Sequence, residues 1–205
     1  MKKSLLIKIA AGIAAVGVFA ALFMRSLEDT RSAAYTIDPA HLRSWTLALE
    51  PASAANDPLL VLRPSPELAG GLFKQIFSRA MESLNSPTAP SIPIVLRGEF
   101  DRVAGDQLSQ EAMLAAAKAA GVESGAPSPR CLVLRRVSEP GGVRQAYLVF
   151  FDAPAIAQFR RQIGLDPDAV SPIMFVAGAG AGFNSWLPQR INADTDCLAP
   201  VEIGR

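Results

Sequence analysis

Residues 130–152 read RCLVLRRVSEPGGVRQAYLVFFD. Two arms rich in Val, Leu and aromatic side chains flank EPGG, a turn in which glycine takes positive φ at no steric cost. Together they have the signature of a β-hairpin. The second arm, AYLVFF, shows no alternation of apolar and polar residues, which marks a central strand covered on both faces. A strand of that kind needs neighbours, and the rest of the chain must supply them.

Downstream, Asp152 is placed to cap a short helix, APAIAQFRRQIG, which Gly164 ends. PIMFVAG then reads as another apolar strand, and the tail FNSWLPQRINADTDCLAPVEI as a turn, a loop and a last edge strand. Upstream, LSQEAMLAAAKAAGVES is a helix with legible ends: Ser109 caps it, Leu108 and Met113 form a hydrophobic staple, and Gly121 supplies the left-handed terminus. IPIVLRGEF, at 92–100, reads as a strand. SPELAGGLFKQIFSRAMESLNSP is the longest amphipathic helix of the globular part, capped by Ser65 with Pro66 at its first position. WTLALE and PLLVLRPS, joined by a turn-like stretch, form a second hairpin.

The element order mixes hairpins with strand–helix–strand crossovers. It predicts an α+β fold with one mixed-sheet domain and about three helices packed on it. A ferredoxin-like β-α-β-β-α-β unit matches the order over 92–180.

The chain opens MKKSLLIKIAAGIAAVGVFAALFMRS. From residue 9 to 24 nothing is charged, and counted from Leu5 a helix of this stretch reaches about 30 Å, the thickness of a bilayer core. No polar region separates the apolar run from a cleavage site. The expectation is therefore a transmembrane anchor or uncleaved signal over 1–26, a linker over 27–36 and one globular domain over 37–205. Lys2, Lys3 and Lys8 against Arg25 and Arg31 place the N-terminus in the cytoplasm and the domain beyond the membrane. The lipid bilayer is then a partner through the N-terminal helix. The alternative is a cleaved signal and a secreted or periplasmic domain.

The chain carries 20 Lys and Arg against 19 Asp and Glu. Setting aside Lys2, Lys3 and Lys8 leaves 17 against 19, too little positive charge to neutralise a phosphate backbone, so no nucleic-acid partner is expected. The two cysteines, Cys131 and Cys197, are not a C-x-x-C pair. In an oxidising compartment they are candidates for a disulfide, the alternative being two buried thiols.

VAGAGAGFN resembles a phosphate-cradling loop, and Gly178, Gly180 and Gly182 are its candidate ligand contacts. The every-second-residue spacing departs from G-x-G-x-x-G, and no Lys-Ser/Thr follows. Arg135 and Arg144 are placed to decorate one sheet face and receive an anionic group. Glu99 and Asp101 would share one face of the strand at 92–100. Phe183 with Trp186 offers an aromatic anchor. His41 is the single histidine, with no nucleophile elbow to serve, so neither a catalytic constellation nor a zinc set is found. No cofactor is expected. The sequence thus predicts a membrane-anchored extracytoplasmic binding or scaffold module with a protein partner in the cell envelope. The alternative is a small hydrolase or transferase using carboxylates and arginines near the glycine-rich loop. A self-assembling structural subunit is a third reading.

Overall fold

The computed structural model describes residues 2–80, 82–103, 108–139, 142–179 and 190–204. The chain divides into two compact units, Met1–Ala33 and Ala34–Arg205. The first is a single helix, α1 (Lys2–Ser32), whose described side chains are exposed. Among the described residues no helix is long and apolar enough to cross a membrane. Half of the uncharged run over 9–24 is Ala or Gly, and Arg25, Glu28 and Asp29 follow it. The expected transmembrane anchor over 1–26 is thereby overturned. With it go the lipid bilayer as a partner through the N-terminal helix, the single-pass membrane location and the placement of the domain beyond a membrane. Residues 27–36 are shared between the end of α1 and the first strand of the second unit.

The second unit contains β1 (Tyr35–Ile37), a 3-10 turn (Pro39–Leu42), β2 (Trp45–Leu49), β3 (Pro58–Pro64) and α2 (Pro66–Ala80). Then come β4 (Ile92–Leu96), α3 (Arg97–Val103), α4 (Gln110–Ala119), β5 (Ser128–Glu139) and β6 (Gly142–Asp152). The chain closes with α5 (Pro154–Gln162), β7 (Ile173–Ala179), α6 (Ala193–Asp196) and β8 (Cys197–Ile203). The strands form two sheets rather than the expected one: three strands in the order β2-β3-β4, and five in the order β1-β8-β5-β6-β7. Among the described strand pairs only β1 and β8 run parallel. Both flanks of β6 are taken by β5 and β7, so β4 pairs with β3 in the smaller sheet. The ferredoxin-like unit over 92–180 is therefore not formed.

The absence of alternation in AYLVFF has a direct cause. On one side of the large sheet Tyr147, Val149 and Phe151 join Leu60, Leu62, Ile92 and Ile94 of the small sheet in the main core. On the other side Ala146 and Leu148 pack with Cys131, Val133 and Ile173 in a second, smaller cluster. Each fully buried Leu, Ile, Val or Phe contributes about 1.5–3 kcal/mol over leaving it in water. Trp45 meets the Phe151 ring edge-on at 5.7 Å, and its indole N–H donates to the Leu42 carbonyl.

Two sheets have four edges, and among the described residues each is occupied at one position or more. On β1, the Gln75 amide accepts from Thr36 N–H and donates to Thr36 O, at 3.0 and 2.8 Å. On β7, Gly178 exchanges two backbone hydrogen bonds with Asn85. On β2, Leu47 N–H donates to the Glu123 carboxylate at 2.7 Å. On β4, the Ile94 carbonyl accepts from the Arg160 guanidinium at 2.6 Å.

The strand expected over 92–100 stops at Leu96. The β2–β3 connection captures the chain there: Arg97 N–H donates to Asp57 O and Gly98 N–H to Ala55 O. Gly98 lies so close that a Cβ would stand 2.9 Å from that of Ala55. Residues 97–103 turn into α3, and Glu99 folds back to accept from Leu96 N–H at 3.0 Å.

Candidate functional site

Gly178 lies within β7, and its N–H donates to Asn85 O at 3.0 Å. It is not open to a phosphate. Gly180, Gly182, Phe183 and Trp186 lie outside the described residues. Strand alternation puts Arg135 and Arg144 on the face of the smaller cluster. Arg135 Nη2 donates to Asp196 at 2.9 Å and to Arg190 O at 3.3 Å. The Asn192 N–H donates to the same Asp196 oxygen at 2.8 Å. That backbone bond, then the charge of Arg135, hold the Asp196 carboxyl below the usual carboxylate range against the opposing effect of burial. One residue on, Cys197 forms a disulfide with Cys131, their Cα atoms 5.6 Å apart, which ties β8 to β5.

Glu99 and Asp101 do not share a strand face. Asp101 pairs with Arg97 one helical turn away on α3, at 2.9 Å. Glu99 is buried and meets Arg160 of α5 through two bonds, at 2.6 and 3.0 Å. Arg160 has no exposed surface. Its Nε and Nη2 donate to Asp166 O, and Nη1 also reaches Ile94 O. All five guanidinium donors are thus satisfied, and none is left for a ligand. His41 sits half-buried in the 3-10 turn. Among the described residues no group of three or more His, Cys, Asp or Glu side chains could hold a metal ion.

A different set of residues frames an open groove of about 350 Å³. Closing a hairpin at its turn brings its two far ends together, so Arg130, at a bulge in β5, and Asp152 of β6, opposite Ser128, both stand at the open end. The expected cap at Asp152 is not made: Ala153 occupies the N-cap of α5 and no side chain bonds there. The Asp152 carboxylate is instead exposed on the groove wall. The loop after α5 brings Asp168 to the opposite wall, and Asp166 holds its backbone N–H at 2.9 Å. Phe150, Ile156, Val170 and Pro172 supply apolar surface. Arg130 also lines a second groove of about 350 Å³, beside the disulfide, together with Asp194 and Leu198. Arg130, Asp152, Asp168 and Asp194 are exposed, and their side chains make no ion pair or hydrogen bond among the described residues. Sequence reasoning missed this groove, although the hairpin that joins Arg130 to Asp152 was its signal. No family model, no curated protein and no solved structure matches the chain.

Proposed function

We propose that the second unit is a non-catalytic binding or scaffold module that receives a segment of a partner protein in the groove between the open end of the β5–β6 hairpin and α5. The observation that supports this reading is that three charges with no described partner line one groove together with apolar surface. Arg63 pairs with Glu50, Arg135 with Asp196, Arg160 with Glu99 and Arg190 with Asp166. The three charges around the apolar wall of the groove pair with nothing described. Joining of a partner strand to a sheet edge, the common alternative, meets an occupied position on every edge.

The test is selection of peptides from an unbiased displayed library on the full chain. Selected peptides are then compared on the wild type and on Ala157→Trp, which fills the groove from α5. Peptides that lose at least tenfold in affinity on the variant, with its thermal unfolding unchanged, support the reading. If no peptide is enriched, or if enriched peptides bind both proteins alike, the reading fails.

A further inference from the structure

The charges along the groove specify the chemistry of what it takes, an inference that rests on the groove being the binding site. The two grooves meet at Arg130, which lines both. On one side of it stand Asp152 and Asp168, and on the other Asp194. The track therefore runs negative, positive, negative. Apolar surface accompanies it, from Phe150 and Pro172 in the first groove to Leu198, 36% exposed, in the second.

We infer that the occupant is an extended peptide segment carrying a basic residue, then an acidic residue, then a second basic residue, with apolar residues between. The basic residues face Asp152 with Asp168 and Asp194, and the acidic one meets the Arg130 guanidinium, whose fork suits a carboxylate. A polyanion is disfavoured because carboxylates flank the single cation. An all-basic segment is disfavoured because Arg130 stands mid-track. Each exposed pair is individually weak, so discrimination comes from the pattern of charges: the inverse pattern places like charges together at three positions, and moving the acidic residue to an end does so at two. Two grooves on either side of Arg130 suit an extended chain better than a compact small molecule.

The test uses three fluorescently labelled peptides and the full chain, read by anisotropy at low salt. One has the basic–acidic–basic order, one the inverse order, and one the composition of the first with its acidic residue moved to an end. The first is expected to bind at least tenfold more tightly than the inverse and several-fold more tightly than the rearranged peptide. Asp152→Asn with Asp168→Asn should weaken it at least fivefold, and Arg130→Glu should remove its advantage over the rearranged peptide. Equal binding of the three peptides, or indifference to the neutralising substitutions, overturns the inference. If library-selected peptides still depend on the open groove, as judged by Ala157→Trp, the inference falls while the binding reading stands. If none does, both fall.

Discussion

Arg160, within α5, and Arg130, on β5, live in opposite surroundings. Arg160 has no exposed surface and directs all five N–H donors into the protein, joining α3, the β4 edge and the loop after α5. Arg130 is exposed between two grooves and donates to no described residue. The same side chain is structural where its hydrogen bonds are complete and available for recognition where they are absent. A guanidinium buried without full compensation would be destabilising, so completeness is what permits the burial of Arg160.

The comparison is most severely tested at Arg160. Arg160→Leu leaves Glu99 Oε1, Ile94 O and Asp166 O without their donor and the buried Glu99 charge without its counterion, and is expected to lower stability by about 3–5 kcal/mol. Urea unfolding of the full chain measures this, and a loss below about 1 kcal/mol would contradict the structural role given to the pair. Replacing both Arg160 and Glu99 with apolar residues of similar volume should recover part of the loss.

Replacing Cys131 and Cys197 by serine comes next. The bridge spans 66 residues, and the chain-entropy estimate for such a loop is about 4 kcal/mol, with about 2–4 kcal/mol typical in practice. A shift in unfolding midpoint between oxidised and reduced protein reads the same quantity.

A smaller effect belongs to Asp196. Its folded pKa lies below the unfolded value, so between the two the unfolded chain binds more protons and stability rises with pH. The contribution is complete above the unfolded value and is lost as pH falls from about 4 through the folded value. Asp196→Asn should flatten that part of the pH–stability curve, and an unchanged acid limb would remove the carboxylate from the account.

Smallest of all is Arg130→Ala, expected to leave stability within about 0.5 kcal/mol. A larger loss would make Arg130 structural and erase the contrast with Arg160.

Where local chemistry decides, the sequence is informative. Ser109 accepts from Ala112 N–H at 3.1 Å, and Gly121 takes φ 73°, as a cap and a left-handed terminus require. Ser65 likewise accepts from Leu68 N–H at the start of α2. The unalternating arm of the hairpin carries its central position in its composition. Where distant groups decide, local reading goes astray. RGEF is captured by the carbonyls of Ala55 and Asp57, some forty residues earlier, and by Arg160, 61 residues after Glu99. One clue was present: Ile156, Phe159 and Arg160 fall at helical spacing on one face, which puts an arginine on the apolar stripe of α5. The groove draws Asp168 and Pro172 from a loop whose path follows from no local pattern. At the N-terminus, uninterrupted apolar character suggested a span, but among the described residues no helix is long and apolar enough to cross a membrane.

The small plugs on the sheet borders carry a consequence for behaviour at high concentration. An unguarded border strand templates a neighbour's strand and seeds polymers. Here Gln75, Glu123 and Arg160 each occupy a border with a side chain, and Asn85 does so with its backbone. Removing one, as in Gln75→Ala, would leave a mostly intact protein that sticks to its own copies. Such damage would surface as turbidity on storage, long before it surfaced as a lower melting point.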